Sequence, residues 1–78
     1  MSSTYRPRPG SLVARVLAFF EHNPDEELSR SDVAVKFGLG ITSVSGTLAA
    51  AVQAGLLRWE QTDAGRWVYR AGQEVGHG

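Results

Sequence analysis

The sequence predicts an α+β domain, mostly helical, in which three helices are followed by a small β-hairpin. Two observations carry this reading. Three consecutive segments repeat apolar residues at helical spacing, with Ser11 and Ser29 placed to open the first two and Gly38 and Gly55 to close the last two. Downstream, LLRWEQTDAGRWVYR alternates apolar and polar residues on either side of the turn-forming TDAG. Composition agrees: 78 residues make one small domain, and 42% hydrophobic with 21% charged residues fits a folded chain rather than a disordered one.

Residues 1–10, MSSTYRPRPG, combine polar residues with two prolines and a glycine, which predicts a flexible basic arm. After Ser11, the residues Val13, Val16, Leu17 and Phe20 share one helical face, and Asn23-Pro24 ends the helix near His22. Leu28 falls in a short extended segment. Ser29-Arg30-Ser31-Asp32 then fits a capping box, with Val33, Ala34 and Phe37 as the buried face and Gly38 as a left-handed stop. The third helix runs from about Ile41 to Ala54. Ile41, Val44, Leu48, Ala51 and Val52 point to the core, with Thr42, Ser43, Gly46, Ala49, Ala50 and Gln53 opposite. On the hairpin, Leu57, Trp59, Trp67 and Tyr69 form one face turned to the helices, so their alternation favours core packing over base stacking. The folded domain is expected to span 11–70, with 71–78 as a flexible tail.

Several function classes drop out. With no cysteine there is no disulfide, thiolate metal site or cysteine nucleophile. His22 and His77 lie far apart, Ser43 and Ser45 have no evident general base, and neither a metal-ligand spacing nor a phosphate loop occurs. The expectation is a non-enzyme without a cofactor. Arg15 interrupts the apolar run LVARVLAFF, no small-x-small cleavage site follows it, and no stretch is long enough to span a membrane, which predicts a cytoplasmic protein. Eight Lys/Arg balance eight Asp/Glu, but unevenly: residues 1–20 hold Arg6, Arg8 and Arg15 and no acid, while residues 21–32 hold five acids against Arg30.

Ala34, Gly38, Val44 and Leu48, followed by Ala54-Gly55-Leu56-Leu57, resemble the winged helix-turn-helix domain of bacterial and phage transcriptional regulators, the MarR-like type in particular. The resemblance covers roughly residues 12–70. It implies a small transcriptional regulator binding double-stranded DNA, with the helix at about 41–54 in the major groove and Thr42, Ser43, Ser45, Gly46 and Ala49 toward base edges and phosphates. It further implies Arg66 at the wing, Arg6 and Arg8 of the arm in the minor groove, and Arg30, Ser31 and Lys36 on the backbone.

From Gly38 to Leu57 there is no charged side chain, so the common arginine–guanine contact is not available from this helix. The helix can read shape and methyl groups while arginines outside it hold the backbone. Four engaged cations would give a salt slope of roughly −3 to −4 per subunit. The alternative is a winged helix that docks protein, through the face of Gly46, Ala49, Ala50 and Gln53, without touching DNA. A homodimer or another protein partner is open on either reading.

Overall fold

Ser11 opens the first helix: its hydroxyl accepts the Ala14 N–H at 3.2 Å and α1 runs Leu12–His22. In the computed structural model, which describes residues 7–72, α1 buries Val16, Leu17 and Phe20 and ends at Asn23. Strand β1 (Leu28–Ser29) leads directly into α2 (Arg30–Phe37). Ser29 Oγ accepts the Asp32 N–H at 3.1 Å, and the Asp32 carboxylate accepts the Ser29 N–H at 3.0 Å, so the capping box is complete.

Gly38, at φ 75°, stops α2, and the Leu39 N–H donates back to the Ala34 carbonyl. Helix α3 (Ile41–Gln53) ends one residue before the expected Ala54. Gly55 takes φ 82°, its N–H donates to Val52 O, and the Leu56 N–H donates to Ala51 O. This is a Schellman closure that aims the chain into β2 (Leu57–Gln61). Strand β3 (Trp67–Ala71) returns after the loop Asp63–Gly65, where Gly65 at φ 87° supplies the left-handed residue.

The sheet has order β1-β3-β2, antiparallel throughout, with Tyr69 opposite both Leu28 and Trp59. Its helix side joins Leu28, Leu57 and Tyr69 to Val16, Phe20, Val33, Val44, Leu48 and Ala51 in a single core. Each buried Leu, Val or Phe of this set contributes about 1.5–3 kcal/mol relative to exposure.

Four expectations change. Ile41 was placed on the core side of α3 but is 47% exposed, because it is the helix's first residue and overhangs the core. Trp67 shares the aromatic face yet is 50% exposed, since it starts β3 next to the hairpin loop, at the outer end of the strand. Val68, expected among outward polar neighbours, is fully buried on the opposite face of the sheet, opposite Glu60.

The ordered chain also continues past residue 70. Ala71 belongs to β3, and Gly72 is buried and donates its N–H to Leu56 O at 3.1 Å. A Cβ on Gly72 would fall on the Gly55 carbonyl oxygen and lie 2.7 Å from the Leu57 nitrogen, so only glycine fits against the α3–β2 turn. The rest of the expected tail, and residues 1–6 of the expected arm, lie outside the described residues.

Candidate nucleic-acid interface

The outer face of α3 presents Thr42, Ser43, Ser45, Gly46 and Ala49, all exposed. The helix carries no charge along its length. Gly46 is the odd member. A Cβ there would meet nothing within 4 Å, so nothing among the described residues calls for glycine, although an interior helical glycine costs roughly 0.5–1 kcal/mol relative to alanine.

Beside the start of α3, an open groove of about 510 Å³ lies between the N-terminus of α2 and the hairpin, lined by Ser29, Arg30, Ser31, Ile41, Trp59 and Trp67. Its hairpin wall is a ladder of rings. Tyr69 meets Trp59 at a centroid distance of 4.4 Å, and Trp59 stacks on Trp67 at 5.7 Å with 25° between planes. Exposure rises along the ladder from buried Tyr69 through half-buried Trp59 to exposed Trp67. The Arg30 guanidinium sits 5.3 Å from the Trp59 ring centre, a cation–π contact.

The opposing acid is Asp32, 3.6 Å from Arg66, an ion pair that ties the hairpin to α2. The Ser29 N–H, the Ser29 hydroxyl and then Arg66 hold the Asp32 carboxyl below the usual carboxylate range, against a small desolvation penalty. Trp59 also lines a second hollow of about 280 Å³ with Ser45, Ala49, Val52, Gln53 and Tyr69. The aromatic face of the hairpin therefore flanks α3 along much of its length.

The fold sorts the expected cations. Arg30 and Ser31 stand in the groove with Ile41 and the tryptophans. Arg66 reaches the same edge, 61% exposed but shared with Asp32. Lys36 is elsewhere: its ammonium sits 4.7 Å from the Phe19 ring of α1, and its position is rotated roughly 140° around α2 from Ser31. Arg8 is exposed, and its neighbour Pro7 packs in a hollow with Ala14, Leu17, Glu21 and Leu56. Leu56 follows the C-terminal end of α3, roughly 17 Å along the helix from Thr42, so Arg8 does not join the groove. Arg6 lies outside the described residues.

Sequence reasoning missed three residues of this surface: Ile41, Trp59 and Trp67. Among the described residues, no group of three or more His, Cys, Asp or Glu could hold a metal ion, and no single helix is long and apolar enough to cross a membrane.

No family model matches the chain, and no curated protein matches it. The fold is similar to the solved structure of a ferric uptake regulator from Francisella tularensis with iron, at a TM-score of 0.67 and 25% identity over 95% of this chain. The match spans 58% of that regulator's own chain. The architecture described above, three helices with a three-stranded antiparallel sheet, is accordingly that of a winged-helix regulator. The finer likeness to the MarR type rests on the sequence features alone.

Proposed function

We propose that this chain binds double-stranded DNA as a small cytoplasmic transcriptional regulator, a binding module rather than an enzyme. On this reading α3 enters the major groove, and the hairpin lies on the flanking backbone or minor groove. The supporting observation is the exposed, uncharged outer face of α3 beside an exposed hairpin loop, in a fold similar to that of a ferric uptake regulator. Gly46 allows close backbone approach. Thr42, Ser43 and Ser45 offer hydroxyls to phosphates or base edges, and the methyls of Thr42, Ala49 and exposed Ile41 suit the thymine methyl.

Backbone affinity comes from few charges. Arg30 is free of carboxylate partners among the described residues, Arg66 is shared with Asp32, and Ser31 adds a hydroxyl near the α2 N-terminus. Lys36 and Arg8 would meet backbone away from the hairpin. The salt slope from the groove side is therefore roughly −1 to −2 per subunit, shallower than four engaged cations would give.

The test is an amide-shift titration of labelled protein with a generic duplex, at low salt and again near ~200 mM. Shifts over residues 30–46 and 62–66 that fade with salt are expected. Arg30→Ala should weaken binding across all sequences and flatten the slope by about 1, whereas Thr42→Ala should mostly alter base preference. No shift at low salt overturns the reading.

A second reading, a protein-docking winged helix, is favoured by exposed apolar Ile41 and by Val35, which is 85% exposed on α2. Concentration-dependent self-association, or saturable binding of one protein without DNA affinity, would select it. The face of Gly46, Ala49, Ala50 and Gln53 is the interface to map first.

A further inference from the structure

The groove at the start of α3 offers phosphate contacts at its Arg30–Ser31 rim and a ring wall suited to a base beside it. A duplex backbone passing between α3 and the hairpin would meet Ile41, Trp59 and Trp67, with Arg30 as the one cation in the lining. Phosphate contacts need positive charge as well as donors; this lining has hydroxyl and indole donors at its rim but one cation, and its ring faces offer a phosphate neither. A nucleobase needs a ring of similar size to stack on, and here Trp59 stacks on Trp67 above the tilted, buried Tyr69 ring, so the ladder emerges from the core and ends on a half-exposed indole. Stacking on an aromatic side chain accepts any base, because every base has a π-face. Arg30, held against Trp59, and the Ser31 hydroxyl stand beside the ladder where the sugar-phosphate of a stacked nucleotide would lie.

We propose that the Trp59–Trp67 ladder with Arg30 is a stacking site for an unpaired base of a DNA strand, so that the protein favours duplexes with a single-stranded extension over blunt ones. The site deepens the DNA-binding reading and rests on it. It commits the groove to a π-faced, anionic occupant, which matches one cation set against aromatic rings; a second copy of this chain would bring its own Trp67 and Ile41 and leave Arg30 with no counter-charge. The ring-on-base part of the increment is not ionic and persists as salt rises, whereas the Arg30–phosphate part is screened like the duplex contribution.

The experiment measures anisotropy of labelled DNA with the full chain, using a blunt duplex, the same duplex with an oligothymidine overhang, and oligothymidine alone. Tryptophan emission is followed in parallel. The overhang should tighten wild-type binding about ten-fold at low salt and quench tryptophan emission, with the stacking part of the increment and the quenching still present near ~200 mM salt. Trp67→Ala should remove the difference between extended and blunt duplexes, and Trp67→Phe should keep most of it. Thermal melts of both variants, expected to stay close to wild type for this exposed site, separate loss of stacking from loss of fold.

Wild-type protein that binds blunt and extended duplexes equally, without quenching, overturns the stacking site and leaves duplex binding intact. Trp67→Ala that weakens both DNAs alike also overturns it, assigning the indole to duplex contact. Failure to bind any of the three DNAs removes the DNA-binding reading itself. Loss of self-association in Trp67→Ala, with DNA affinity unchanged, assigns the groove to a second copy instead.

Discussion

The two faces of the sheet treat charge in opposite ways. Behind, away from the helices, Arg70 lies 2.9 Å from Glu60 and 3.8 Å from Glu27, Arg58 lies 3.5 Å from Glu60, and Arg58 Nε donates to Ala71 O. In front, Tyr69, Trp59 and Trp67 form the aromatic ladder, and Arg30 rests on it with no carboxylate partner among the described residues. The cations of the back are therefore spent internally, and at the front Arg66 is shared with Asp32 while Arg30 is left open. Counting arginines overstates what this chain can offer a phosphate. Position in the sheet decides.

Three substitutions would break or sharpen this contrast. Tyr69→Ala removes the buried foot of the front ladder and should cost about 3 kcal/mol or more, read from the shift in urea midpoint. A loss under about 1 kcal/mol would mean that the front face packs far more loosely than its burial implies. Arg70→Ala on the back should cost no more than about 1 kcal/mol, because the pairs it makes are a third exposed and screened by solvent. That deficit should shrink in high salt; a salt-independent deficit would instead point to the buried Arg70 Nε and its stem as the source.

The smallest effect belongs to Asp32 at the front edge. Its carboxyl is held below the ordinary value near 3.8, so the folded state binds the proton less readily than the unfolded chain. The associated stability is fully present above that value and is lost as pH falls through the lower folded one. Asp32→Asn should flatten this acid-side loss in melts taken at descending pH. An unchanged profile would show that the capping box is maintained with the acid protonated.

Local chemistry was legible in the residues. Ser11, the Ser29–Asp32 box, Gly38 and Gly55 each act within a few residues of chain, and each performs the role its side chain or backbone freedom suggests. The direction of each face was legible too, since periodicity reports it. What periodicity does not report is how far the covering element extends. Ile41 lies on the same side of α3 as Val44 and Leu48, and Trp67 on the same side of the hairpin as Trp59, but both stand at element ends and are left about half exposed.

Those two overhangs make the groove, which is why the candidate site was only half visible. Thr42, Ser43 and Arg30 could be named from their positions, whereas the aromatic wall could not. The back-face network depends on β3 pairing with both β1 and β2, a long-range fact that no short window contains. Gly72 is the same kind of case: its lack of a side chain answers to the Gly55–Leu57 backbone, not to its neighbours in sequence.

The strand order has one consequence for how the chain is made. β3 is the central strand of the sheet and, among the described residues, the last element in sequence. On a ribosome adding roughly 5–20 residues per second, all three helices emerge while β1 and β2 still lack their partner. Leu28 and Leu57 then have no Tyr69 to pack with, and only the capped helices can form early. The domain closes in one late step, when the WVYRA segment clears the exit tunnel and zips between two waiting edges.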